Sequence, residues 1–443
     1  MSTRPSCAAM LKAVPSARSF ASTSQARLPP KLSSKASLWA KNKKGSATED
    51  EGASSGAGVG NVLAEVTLPR PDLSGLKAMH PEDLVKDAVG QVRAFPDRAL
   101  EAFKTLSIPT SLQREHAFTP RPATVVREAT LELARTLDGA KKASSREARY
   151  VLTGGKGTGK SSLLLQAVSY AQSTDWIVLY LPTATHLVNS STPHAYSQAR
   201  ALFEQPALAA SLLGKFAAAN KAAFGALKTS KEHVFGEKKI AAGKSLEELA
   251  KAAGGDEKVV TAVFEALMDE LAAQNERAVL LAIDDAQSLF ATSKYVDPTY
   301  QALETFALVI PRLLLEFVAG ERTFANGTVL LSASSLSAAA SPAMTSFLSS
   351  SAPTPSRARP LPSVYDTARV SAFDTYSAIL DGLKRFDLPA RLSRKEASGI
   401  VELLRGWRGT REFIDDKAFL EKLVAADGNP REFTRVMTKS AAL

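Results

Sequence analysis

At 443 residues and 45% hydrophobic content, the chain is long enough to bury a sizeable core and to divide into two or three domains. Its single cysteine, Cys7, excludes an intrachain disulfide and any multi-cysteine zinc or iron–sulfur site. The net charge of +10 is concentrated at one end: Arg4, Lys12, Arg18, Arg27, Lys31, Lys35, Lys41, Lys43 and Lys44 fall before the first acidic residue, Glu49, and the rest of the chain is nearly neutral.

Residues 1–27 are rich in Arg, Ser and Ala, lack acids and have no apolar core of secretory type, which predicts a mitochondrial transit peptide and a matrix location. "RSFAS" offers cleavage between Phe20 and Ala21; a longer trim would end between Arg27 and Leu28. The alternative is a basic tail that binds RNA or acidic lipids. Residues 28–117 read as an extended N-terminal arm. Leu28–Gly60 is too polar to fold alone, and the proline-interrupted stretch from Thr67 reads as an irregular layer with a short helix over Pro81–Val92.

Residues 118–345 alternate strand and helix patterns. "ATVVREATLELARTL" places Val126, Ala129, Leu133, Ala134 and Leu137 at helical spacing. "ARYVLTG", "DWIVLYLP", "AVLLAID" and "GTVLLSAS" are apolar runs of buried-strand length, and "SSLLLQAVSYAQ" is a helix between the first two. The pattern predicts a parallel sheet flanked by helices, interrupted by a helical insertion at 198–274. The run from Phe306 is broken by Pro311, Arg312 and Glu316, so it predicts a buried helix and no membrane span. A Ser/Ala/Pro-rich loop follows, with 346–370 as linker; it carries Arg357 and Arg359, possible phosphate contacts. Residues 371–443 predict a helical C-terminal domain. Ser393 and Glu396 stand at capping-box spacing, and Asn429 with Pro430 opens the last helix.

The chemistry centres on Gly154-Gly155-Lys156-Gly157-Thr158-Gly159-Lys160-Ser161, which satisfies G-x-x-x-x-G-K-[ST] between a strand and a helix. Glycines let the backbone curl so that successive N–H groups face phosphate oxygens, and the helix adds its positive end. Gly155, Lys156, Gly157, Thr158, Gly159, Lys160, Ser161 and Ser162 are the predicted nucleotide-binding residues. Ser161 and, through water, Asp284 at the end of "AVLLAID" are the predicted Mg²⁺ ligands. Asp285 is the one candidate for polarising an attacking water. Aspartate is a methylene shorter than the glutamate common there in ATPases of the additional-strand class, so fast hydrolysis is not assured. Ser332 or Ser334 could present a hydroxyl toward the phosphates, and Arg431 could reach them from the C-terminal domain. No N-K-x-D element is present, so the residues leave ATP and GTP open.

"FTPRPATVVREATLELARTL" with Arg127, the glycine loop, the Asp175-Trp176 strand, "FEQPALAASLLGKFAAAN" with Gln205 and Pro206, "AVLLAIDDAQSLF" and the late "GNPREF" follow one another in one order. In this the chain resembles the mitochondrial small-subunit ribosomal P-loop proteins of the death-associated protein family, best over Phe118–Leu336. The resemblance implies a P-loop NTPase fold of AAA-like, additional-strand class. It implies a constituent of the small-subunit head near the subunit interface, holding GTP or GDP with Mg²⁺ and hydrolysing slowly or not at all. Its implied partners are the small-subunit rRNA, neighbouring small-subunit proteins and the large subunit across the interface, with no homo-oligomeric ring. The resemblance carries over to the glycine loop and Asp284; it does not carry over to Asp285. The competing reading is a matrix AAA-like ATPase or nucleotide-dependent switch, which would draw on Arg312 or Arg322 as an arginine offered to a neighbour.

Overall fold

The computed structural model describes residues 75–117, 121–333, 341–349, 367–406 and 414–439. The four apolar runs become strands β1 (Arg149–Thr153), β2 (Ile177–Leu181), β3 (Val279–Ile283) and β4 (Gly327–Ser332). A fifth, β5 (Lys384–Asp387), joins them in a fully parallel sheet of order β5-β1-β4-β3-β2. Every residue of β2, β3 and β4 is buried, as expected of strands covered on both faces. β5 reads Lys-Arg-Phe-Asp and buries only Phe386, a composition suited to a sheet edge. It lies within the stretch that the sequence predicts as helical. Its charged residues hide the strand signal, which only the partner β1 supplies.

Helices α1 (Glu128–Ala140), α2 (Lys160–Ser173), α3 (Pro206–Ala219), α4 (Val260–Ala273) and α5 (Val309–Ala319) surround the sheet. α2 is buried on nearly all sides, packed against α1 and across β2, β3 and β4. One buried side chain organises that junction. Gln166 of α2 accepts from the Thr130 hydroxyl of α1 at 2.7 Å and donates to Thr124 Oγ1 at 2.6 Å and the Val125 carbonyl at 3.0 Å. A buried amide used on both sides is a fixed point rather than a liability.

The segment 75–117 differs from an extended arm. Two 3₁₀ turns (Pro81–Asp83, Lys86–Ala88) stand where a helix over Pro81–Val92 is predicted. Gly90, at φ +87°, ends the helical path, and its N–H donates to the Val126 carbonyl at 2.8 Å. Val92–Ala94 then pairs antiparallel with Ala123–Val125, and helices follow at Asp97–Leu106 and Thr110–Ala117. Met79, Phe95, Phe103 and Leu106 lie in the same core as the sheet.

The insertion is helical only in part. Ala195–Ser197 pairs with Leu202–Glu204, and His233–Phe235 with Lys238–Ile240 around Gly236, whose φ of +60° suits a tight hairpin turn. Within the Ser/Ala/Pro-rich loop, Pro342–Ser349 is a helix with Met344 buried.

Helices α6 (Thr367–Leu380), α7 (Arg394–Gly406), α8 (Asp416–Ala425) and α9 (Pro430–Lys439) complete the described chain. The last three share a small core of Leu392, Ala397, Val401, Leu404, Ala426, Phe433 and Met437. Among the described residues no helix is long and apolar enough to cross a membrane. The predicted transit peptide with Cys7, the arm up to residue 74, Ser334, Arg357 and Arg359 lie outside the described residues.

Candidate functional site

The glycine-rich loop leaves β1 at Thr153 and enters α2 at Lys160. Gly159 holds the N-cap of α2 in a left-handed conformation, and no side chain caps the helix. The first N–H groups of α2 are thereby left for an acceptor lying in the loop. Lys160 is buried, and its Nζ donates to the carbonyls of Gly154 and Gly155 at 2.9 and 2.8 Å. Burial lowers the lysine's pKa, while the nearby Asp284 acts to raise it. The Thr158 hydroxyl donates to the Gly155 carbonyl at 3.0 Å, closing the turn on itself.

Asp284 follows β3 and is 3% exposed. Burial pushes its carboxyl above the usual range, opposed by hydrogen bonds from the Ser161 and Ser332 hydroxyls and the Asp285 N–H. That N–H lies 2.9 Å from Asp284 Oδ1. The sheet explains the meeting: Leu331 of β4 is in register with Ile283 of β3, which sets Ser332 level with Asp284. The structure thus joins Ser161, Asp284 and Ser332 in one cluster beside Lys160. Asp285 is half-buried in a left-handed conformation (φ 53°, ψ 34°) and opens the 3₁₀ turn Ala286–Phe290. Aspartate tolerates that backbone better than most residues.

The loop has a second wall, built from the far end of the chain. Asn429 donates from Nδ2 to the Lys156 carbonyl at 2.8 Å, while its Oδ1 accepts the N–H groups of Arg431 (3.1 Å) and Glu432 (3.3 Å), capping α9. The Arg431 N–H also donates to the Gly157 carbonyl at 3.1 Å. Gly157 allows this approach: at φ +81°, a Cβ there would sit 2.6 Å from Asn429 Oδ1 and 2.7 Å from Arg431 Cβ. Arg431 therefore does reach the loop, through its main chain and the base of its side chain.

A third segment arrives through Arg127. Its Nη1 donates to the Thr158 carbonyl at 2.6 Å, and its Nε lies 3.5 Å from the buried Glu396 carboxylate. Glu396 also accepts the N–H groups of Glu128 (3.1 Å) and Ser393 (2.9 Å), and the Ser393 hydroxyl accepts the Glu396 N–H at 3.3 Å. The capping box is thus present, with its glutamate doubling as the partner of Arg127. That pairing of residues far apart in sequence has no local signal. Arg312 and Arg322 lie elsewhere. Both pair with Glu316, at 3.2 and 2.8 Å, and Arg322 also with Asp269. Arg322 stands before β4, whereas Ser332, at its other end, meets Asp284.

Residues 124–436, which include every segment of this cluster, match the family model for mitochondrial ribosomal death-associated protein 3. The chain belongs to this family. Proteins named small ribosomal subunit protein mS29 from three organisms are similar to it. The Neurospora crassa protein is 30% identical over 270 residues, covering 60% of this chain and 56% of that protein. The Schizosaccharomyces pombe protein is 25% identical over 358 residues, covering 80% and 72%. The mouse protein is 29% identical over 168 residues, covering 36% and 43%. The match thus spans little more than half the length of the Neurospora relative.

Proposed function

We propose that the chain is a structural constituent of the mitochondrial small ribosomal subunit, in the matrix, that holds a guanine nucleotide and Mg²⁺ as a structural ligand. The family and the names of the three mS29 relatives support the ribosomal assignment. The transit peptide at residues 1–27 would provide delivery. The small-subunit head near the interface, with rRNA, neighbouring small-subunit proteins and the large subunit as partners, is the setting the family resemblance implies.

The site supports the nucleotide. Sheet order β5-β1-β4-β3-β2, with β4 between the glycine-loop strand and the Asp284 strand, is that expected of a P-loop NTPase of the additional-strand class. The uncapped start of α2, the N–H groups from Gly155 to Ser162 and Lys160 suit phosphate oxygens. The buried Asp284 carboxylate bonded to Ser161 suits a hydrated divalent cation: Ser161 would hold it directly and Asp284 through water. Mg²⁺, when bound, neutralises phosphate charge. Guanine in preference to adenine rests on the family resemblance.

The observation that carries a structural role is the convergence on one loop of α1 through Arg127, the sheet through Asp284 and the C-terminal helices through Asn429 and Arg431. A nucleotide seated there fastens three parts of the fold together. At a thousand times its dissociation constant it stabilises the folded chain by about 4 kcal/mol. With Asp285 as the available carboxylate, hydrolysis is slow or absent. The test is to extract small subunits washed in high salt and identify the released nucleotide by chromatography, alongside Lys160→Ala. Guanine nucleotide in wild-type subunits and poor incorporation of the variant are expected. Normal incorporation of a nucleotide-free variant would sink the structural role.

A further inference from the structure

Tyr180 lies in β2, is 1% exposed, and its hydroxyl has no hydrogen-bond partner among the described residues. Buried phenols normally find one, so an orphan marks a place where something else is expected to bind. Its position is defined by the sheet. Tyr180 is in register with Ala282 of β3, and side chains alternate along a strand, so Tyr180, Ala282 and the following Asp284 share one face. The two chains stay joined past that point: the Asp284 N–H donates to the Leu181 carbonyl, and the Ala184 N–H to the Asp284 carbonyl, both at 2.9 Å.

The strands on either side of β3 therefore each carry a hydroxyl on the face of Asp284. On the β4 side, Ser332 is hydrogen-bonded to it; on the β2 side, the Tyr180 phenol is left unpaired. A phenol is protonated at neutral pH, so this buried, unpartnered hydroxyl is available as a donor. A buried donor left unpaired on the face that carries Asp284 is the arrangement a bridging water completes.

We propose that the Tyr180 hydroxyl holds a water shared with the Asp284 carboxylate, within the hydration shell of the divalent cation that accompanies the nucleotide. This makes Tyr180 a positioning residue for the metal, one step out from Ser161 and Asp284, and it rests on the nucleotide-and-Mg²⁺ reading above. The chain would then sense the cation through β2 as well as β3. Because the phenol is neutral, its contribution appears in how much Mg²⁺ strengthens nucleotide binding, and not in phosphate binding itself.

The experiment titrates the full chain with a fluorescent GDP analogue, with Mg²⁺ and with EDTA, in wild type, Tyr180→Phe and Asp284→Asn. Tyr180→Phe keeps the ring and removes one oxygen. Its ligand-free thermal midpoint is expected to equal or exceed wild type, and its affinity in EDTA to be unchanged. The strengthening by Mg²⁺ is expected to fall about fivefold to tenfold. If Tyr180→Phe keeps the full Mg²⁺ effect while Asp284→Asn loses it, the tyrosine serves packing alone and only this inference is overturned. If wild type binds the analogue without any Mg²⁺ effect, or does not bind it, the metal or nucleotide reading fails, and this inference fails with it.

Discussion

The side-chain amide of Asn429 donates to the main-chain carbonyl of Lys156 across 273 residues of sequence, while the other end of the same amide caps α9. One residue thus starts a helix and attaches it to the glycine-rich loop. Replacing Asn429 with Ala removes both bonds and is expected to destabilise the chain by about 1–2 kcal/mol. Asn429→Ser keeps a cap acceptor and loses only the donor to Lys156, so it should cost less in urea denaturation yet weaken nucleotide binding comparably. Equal losses of stability in the two variants would refute the double role.

Gly157→Ala forces a methyl group against Asn429 and Arg431 in a backbone conformation that alanine disfavours. The expected cost is about 1–3 kcal/mol, with α9 released from the loop. Hydrogen exchange should show faster exchange at the Arg431 N–H, which donates to the Gly157 carbonyl. Unchanged protection there would show that the contact can yield without breaking.

Asp284 is a carboxylate whose burial raises its pKa. The folded state then binds more protons than the unfolded one just above the ordinary carboxylate range, so stability falls as pH rises from that range through the folded value. Asp284→Asn removes the buried charge. Without ligand it should be more stable than wild type at neutral pH by about 1–2 kcal/mol, with a flatter pH profile. The same variant should lose Mg²⁺-dependent nucleotide binding. A destabilised ligand-free variant would mean that the hydrogen bonds outweigh the burial of charge.

In the insertion, Glu270 accepts from the Ser230 N–H at 2.8 Å and meets His233 Nε2 at 2.6 Å, with both side chains buried. Burial pushes its carboxyl up, but the bonds from Ser230 and His233 outweigh it and hold the pKa below the usual value. For a lowered carboxylate the stabilisation is present above the unfolded pKa of about 4.3 and is lost as pH falls through the folded value. Urea midpoints should drop on acidification below that range in wild type and drop less in Glu270→Gln. At neutral pH the variant should cost about 1–3 kcal/mol. Parallel acid profiles for the two proteins would exclude Glu270 as a source of the slope.

The parts of this fold that local pattern carries were legible in advance. Runs such as Val279–Ile283 are apolar, of strand length and bounded by polar residues, the pattern of doubly covered strands, and the glycine loop sits between one such strand and a helix. Caps were equally readable, because Ser393–Glu396 and Asn429–Pro430 act within three residues. What escaped depends on distant partners. Lys384–Asp387 becomes a strand because β1 offers it an edge, and Arg127 finds Glu396 only after folding. Arg431 could be suspected of approaching the loop, but its use of main-chain atoms on Gly157 could not be read from residue types. Tyr180 carried no signal at all within "DWIVLYLP", where a tyrosine is an ordinary strand residue.

The second wall also makes the loop depend on a distant part of the chain. The bond from Asn429 to Lys156 closes 273 residues of sequence, whereas all five strands of the sheet lie before Asn429. Loop-closure entropy grows only slowly with length, so a closure this long is slow to form and yet inexpensive to keep once the core is packed. Unfolding of α9 alone would therefore open one side of the loop and leave the sheet whole.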